Sequence, residues 1–183
     1  MSGTLDKFKL TGQLVVITGG AGLLGQQHAR AVLEAGGKAL LLDLDARRLE
    51  EAVSALNELG EVEGMQADIC DERQVTDACR IITDKHGRVD GLVNNAARNP
   101  APAQNQAELS RLEKYPVEEW NADLAVGLTG AFLCARVFGP QMAARGGGAI
   151  VNIASDLGLI APDQRLYRLP GIEEHEQPVK SVT

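Results

Sequence analysis

The segment Thr18-Gly19-Gly20-Ala21-Gly22-Leu23-Leu24-Gly25 restricts the fold more than any other. It follows the apolar run Leu14 to Thr18 and precedes good helix formers from Gln26 to Ala35. Glycines at such a junction let the backbone approach a pyrophosphate at a helix N-terminus, where N–H groups and the helix dipole favour an anion. A glycine turn alone also serves purely structural ends. Here a second apolar run, Ala39-Leu40-Leu41-Leu42-Asp43, ends in an acid 18 residues after Gly25, which is the context of a dinucleotide fingerprint.

Asp43 can accept hydrogen bonds from both adenosine ribose hydroxyls, and its charge repels a 2'-phosphate. Leu44 beside it supplies no compensating cation, so NAD is expected over NADP. Arg47 and Arg48 could reach a phosphate, but their positions suit the solvated first turn of a helix better.

The rest of the chain repeats the strand and helix alternation. Leu49, Ala52, Val53, Leu56 and Leu59 recur at helical spacing after a possible Asp45 N-cap. Val75, Ala78, Cys79 and Ile82 do so after Asp71, with Gln74 placed for a capping box. Cys79 therefore reads as a core residue. Strands are expected at Val62 to Ala67, Leu92 to Asn94 and Ala149 to Ile153. Short apolar strands joined by helices predict an α/β fold, a doubly wound parallel sheet in the order 3-2-1-4-5, with ligand at the carboxyl ends of the strands.

Arg98 to Pro116 contains three prolines and reads as a long loop at one such end. Val117 to Ala144 is helical in composition, with Pro140 expected to kink or divide it near its last turns. Residues 1–161 are read as one nucleotide-binding domain. Residues 162–183, with Pro170, Pro178 and the acids Glu173, Glu174 and Glu176, are read as an incomplete loop.

Composition narrows the function classes. Of 183 residues, 44% are hydrophobic and 23% charged, ordinary for a globular domain. The formal charge of -7 disfavours nucleic acid as a partner. No apolar stretch is read as a signal peptide or a membrane span, so a cytoplasmic protein without a membrane partner is expected. Cys70, Cys79 and Cys134 form no CxxC pair, and His28, His86 and His175 are dispersed. Reduced thiols and no metal site are expected.

Four motifs in order resemble the short-chain dehydrogenase/reductase family, in its classical-type branch. They are the glycine turn, Asp68-Ile69, Asn94-Asn95-Ala96-Ala97, and Val151-Asn152-Ile153-Ala154-Ser155. The resemblance covers about Lys9 to Tyr167 and implies a Rossmann fold, a nicotinamide cofactor, and hydride exchange with a small alcohol or carbonyl substrate. It places Thr18, Gly19, Gly22, Leu24, Gly25, Asp43, Asp68, Ile69, Asn94, Asn95 and Ala96 at the cofactor. Ser155 becomes the catalytic candidate, stabilising charge on the substrate oxygen.

Several positions depart from the family pattern. Leu23 stands where such members usually carry glycine, a spacing closer to the extended branch that includes sugar-nucleotide epimerases. Gly127 occupies the place of a common catalytic asparagine. The family's Tyr-x-x-x-Lys pair supplies an acid/base whose pKa a lysine lowers. Here Tyr167 is followed four residues on by Gly171, with Pro170 before it, and Tyr115 by Glu119. The segment Gln177 to Thr183 resembles the approach to a delayed Tyr-x-x-x-Lys, so the expectation is a chain truncated before that motif and lacking the last family strands. Homo-oligomerisation or self-association through the edge at Ala149 to Ile153 is then expected. A noncatalytic dinucleotide-binding module and an extended-type epimerase remain as alternatives.

Overall fold

The computed structural model describes residues 3–98 and 111–179. Most of the predicted loop after Arg98, and the last four residues, lie outside the described set. The chain divides into two compact units, Met1–Ala97 with Val126–Ile153, and Arg98–Ala125 with Ala154–Thr183.

The first unit is built on β1 (Leu14–Thr18), α1 (Leu23–Glu34), β2 (Lys38–Asp43), α2 (Ala46–Leu56), β3 (Val62–Gln66), α3 (Glu72–His86) and β4 (Gly91–Asn94). After a return through α4 (Val117–Leu124), which belongs to the second unit, it continues with α5 (Ala131–Ala144) and β5 (Ala149–Asn152). The five strands are parallel in the order β3-β2-β1-β4-β5, as the alternation of strands and helices predicts.

Side chains alternate across a strand, so each central strand must supply two cores. Leu14, Val16, Leu40, Leu42 and Leu92 join Val75, Cys79 and Ile82 of α3 and Cys134, Phe138 and Met142 of α5 on one face. Val15, Ile17, Ala39 and Leu41 join Ala29, Val32 and Leu33 of α1 and Leu49, Ala52 and Leu56 of α2 on the other. All five residues of β1 are buried, which is why that segment reads as an unbroken apolar run.

Asp45 caps α2, accepting from Arg48 N–H at 3.0 Å. Asp71 caps α3, accepting from the N–H groups of Arg73 and Gln74. The expected capping box closes differently: the Gln74 side chain donates to the Asp71 carboxylate at 3.1 Å and accepts from Asp68 N–H at 2.9 Å. The Asp71 N–H is already bonded to Asp68 O, which leaves Gln74 free to brace the strand end instead.

The division expected at Pro140 lies elsewhere. A π-helical turn at Ala125–Gly130 separates α4 from α5, and α5 runs through Pro140. Phe138 and Met142, on either side of the proline, are anchored in the core and hold the helix across the missing N–H. The helical stretch Val117–Ala144 is also long and apolar enough, by length and composition alone, to cross a membrane, a test that the core helix of a soluble protein passes as well. In α5 that apolarity has a packing cause, since Leu133, Cys134, Phe138 and Met142 are buried.

The second unit contains α4, in which Asp123 is the buried residue. Asp123 accepts from Arg98 at 3.2 Å and from the Tyr115 hydroxyl. Later in the unit, short 3-10 turns occupy Gln164–Tyr167 and Glu174–Glu176. The buried Gln177 amide closes this segment, accepting from Leu169 N–H at 2.8 Å and donating to Leu169 O and Ile172 O.

Candidate functional site

The glycine turn leaves the carboxyl end of β1, where strand order reverses between β2 and β4 and open α/β sheets bind ligands. Gly19 has φ +62, and a Cβ there would lie 2.8 Å from Ala96 Cα. A Cβ at Gly25 would lie 2.2 Å from Gly19 O, and one at Gly20 would lie 2.6 Å from Leu41 Cβ. The turn is thus pressed against α1, β2 and the segment after β4, and larger residues would prise it open. Gly20 is the glycine that sequence reasoning did not single out; its need appears only once Leu41 is in place.

Gly22 caps α1 without a side chain, so no capping carboxylate or hydroxyl of its own occupies the first-turn N–H groups, and no side-chain bond to them occurs among the described residues. Leu23 and Leu24 there are exposed at 79% and 56%. These open donors beside a Cβ-free turn fit a pyrophosphate.

Asp43 stands at the end of β2 with its carboxylate partly committed. Oδ2 accepts from Ala21 N–H at 3.1 Å and Oδ1 from Asp45 N–H at 3.2 Å. An ionised carboxylate has about four acceptor sites, so capacity remains for two hydroxyl donors. Ala21 is held at its other end as well, its carbonyl accepting from Gln26 Nε2 at 3.0 Å and Arg48 Nη2 at 3.4 Å. Neither Gln26 nor Arg48 follows from motif spacing, because the contacts are made only when α1 and α2 flank the turn.

Thr18 is 1% exposed and serves as a brace. Its Oγ1 accepts from the N–H groups of Asn95 at 3.0 Å and Ala96 at 3.1 Å, while Asn95 Nδ2 donates to the carbonyls of Thr18 and Gly19. Asn94 Nδ2 donates to Asn152 Oδ1 at 2.8 Å, tying β4 to β5. Asn94 Oδ1 is buried and has no partner among the described residues. The structure therefore brings Thr18, Gly19, Asn95 and Ala96 together at one strand end and sets Asp43 against the same turn.

Asp68 stands after β3, accepting from Cys70 N–H at 2.8 Å. Ile69 is packed in the core with Val75 and Ala78. Ser155 and Tyr167 belong to the second unit. Ser155 is exposed, its hydroxyl 3.3 Å from Asp156 Oδ1. Tyr167 closes a 3-10 turn ahead of Pro170 and Gly171. Gly127 lies in the π-helical turn, with nothing among the described residues within 4 Å of a Cβ placed there. No group of three or more His, Cys, Asp or Glu suited to a metal ion occurs among the described residues.

Residues 13–166 match the family model described as short chain dehydrogenase. The D-threitol dehydrogenase of Mycolicibacterium smegmatis is 32% identical over 160 residues, covering 87% of this chain and 58% of that protein. Among solved structures, an NAD+-bound xylitol dehydrogenase aligns with a TM-score of 0.76 at 28% identity, covering 84% of this chain and 57% of that one. A metagenomic short-chain oxidoreductase in complex with NADP aligns with a TM-score of 0.71 at 30% identity, covering 80% and 63%. The chain thus spans about three fifths of the length of these proteins.

Proposed function

The chain belongs to the short chain dehydrogenase family, and from that membership we propose that it binds a nicotinamide dinucleotide, NAD in preference to NADP, for oxidoreduction of a small alcohol or carbonyl compound. The observation that carries this reading is the bond from Ala21 N–H to the Asp43 carboxylate, which joins the glycine turn to an acid at the end of β2.

In this reading the N–H groups at the start of α1 hold the pyrophosphate, and Gly19, Gly22 and Gly25 keep the approach open. Asp43 accepts from the adenosine ribose hydroxyls with the lone pairs not used by Ala21 and Asp45. Thr18 and Asn95 act behind the turn, fixing its shape, and Asp68 borders the adenine side. The nicotinamide, when bound, supplies the hydride donor or acceptor. Ser155 donates a hydrogen bond to the substrate oxygen, stabilising the charge that develops there.

An alcohol oxidation also needs a group that takes the hydroxyl proton near neutral pH, and an unperturbed tyrosine near pKa ~10 does so poorly. Neither Tyr115 nor Tyr167 has a lysine four residues on. The 183 residues are thus proposed to carry cofactor binding without turnover of their own.

Titration calorimetry of the 183-residue chain with NAD tests the binding. Saturable binding that Asp43→Ala weakens by tenfold or more is expected. Absence of binding, or affinity untouched by that change, overturns the assignment.

A further inference from the structure

Ala21, in the middle of the glycine turn, is 1% exposed, so its N–H and its carbonyl both need partners inside the chain. Side chains of three different elements supply them. The N–H donates to Asp43 Oδ2 at the end of β2 at 3.1 Å, and the carbonyl accepts from Gln26 Nε2 of α1 at 3.0 Å and from Arg48 Nη2 of α2 at 3.4 Å. Gln26 makes the shorter bond at the carbonyl, and it does so from a fixed base, because its own N–H is bonded to Gly22 O at 3.0 Å in the first turn of α1. One buried residue thus links Gln26 to Asp43.

We infer that Gln26 is a positioning residue of the dinucleotide site: by holding the Ala21 carbonyl it keeps the Ala21 N–H on Asp43 Oδ2, and so sets which lone pairs of that carboxylate face the ribose hydroxyls. The inference rests on the proposed reading of Asp43 as the ribose acceptor. The other Asp43 oxygen is held by Asp45 N–H, two residues on, at 3.2 Å, so the Ala21 bond is the one that fixes the carboxylate against the glycine turn. A buried carbonyl that loses its donor is costly to leave unpaired. Without Gln26 only the long Arg48 contact remains, and any shift of Ala21 that relieves the loss also moves its N–H on the carboxylate. A hydrogen-bond acceptor turned away from its ligand loses affinity although every contacting group is still present.

Gln26→Met tests this, since methionine matches glutamine in length and helix propensity but has no donor. Calorimetry on the 183-residue chain is expected to show NAD binding weakened about tenfold by Gln26→Met, but by no more than about twofold when the same change is made in Asp43→Ala. A glutamine that merely stiffened the turn would cost the same factor in both backgrounds. Amide exchange of the unliganded chain gives a second readout: Ala21 N–H should exchange at least about tenfold faster in Gln26→Met, and return toward the native rate in Gln26→Lys, which restores a donor. Gln27→Met, altering the exposed neighbour, is expected to change neither measurement. Equal losses in the two backgrounds, or unchanged exchange at Ala21, overturn the inference while the cofactor reading stands. If the unaltered chain binds no NAD, the cofactor reading falls and the inference falls with it.

Discussion

Gly25 and Gly127 show how differently one residue type can be constrained. A methyl at Gly25 meets the carbonyl of Gly19 at 2.2 Å, whereas one at Gly127 meets nothing within 4 Å among the described residues, and Gly127 does not have a left-handed φ. Gly25→Ala is expected to lower unfolding free energy by about 1–3 kcal/mol and to abolish NAD binding. Gly127→Asn is expected to be neutral or stabilising by a few tenths of a kcal/mol, since glycine inside a helix is about 1 kcal/mol worse than alanine and asparagine only somewhat better than glycine. Urea unfolding of both variants checks this, and equal losses would contradict it. Asp90, away from the glycine turn, carries a pH prediction. Burial pushes its carboxyl upward, but the Arg88 side chain, the Leu14 N–H at 2.8 Å and the charges of Arg88 and Arg145 outweigh this and hold it below the ordinary carboxylate range. A lowered folded value means the stabilisation is present above the unfolded value of about 3.9 and is lost as pH falls through the folded one. Asp90→Asn should therefore cost about 1–3 kcal/mol at neutral pH and flatten stability against pH below about 4. An unchanged acid limb in the variant would refute the role.

At the scale of elements, the contact of α3 and α5 with the sheet sets the chemistry of the thiols. Cys79 and Cys134 lie in that core beside Phe138 and Val75. Burial pushes Cys134 up to about 12, with Cys70 adding to the effect, and burial also raises Cys79. Only the thiolate reacts readily, so at pH 8 alkylation of Cys134 by iodoacetamide should run more than about a hundredfold slower in the folded chain than in urea. Peptide mass spectrometry would show it, and equal rates would mean that α5 does not seal this face. The expected break at Pro140 shows what an element-level reading misses. Propensity condemns an interior proline, yet burial of Phe138 and Met142 outweighs one forgone hydrogen bond, and the irregularity falls instead at Ala125–Gly130.

At the scale of the whole molecule, β5 pairs only with β4 among the described residues, and all four of its residues are exposed. Ile150 and Val151, at 41% and 49% exposure, make an apolar edge that can pair with another chain. Self-association rising with concentration is expected in light scattering, and Val151→Lys should shift the population toward monomer. A chain that stays monomeric at high concentration would count against an active edge. The alternation of apolar runs and amphipathic helices by itself determined the parallel sheet, because a central strand buried on both faces must be apolar throughout and a helix must bring the chain back in parallel, while the expected order came from the doubly wound pattern of dinucleotide-binding sheets. The glycine turn and Asp43 were legible for a similar reason, being local in sequence and tied to a strand end. Tertiary structure alone decided what surrounds them. The close approach of Leu41 to Gly20, the Thr18 and Asn95 brace, and the contact of Arg48 with the Ala21 carbonyl join residues far apart in the chain, and no spacing rule encodes which side chains meet once the helices dock.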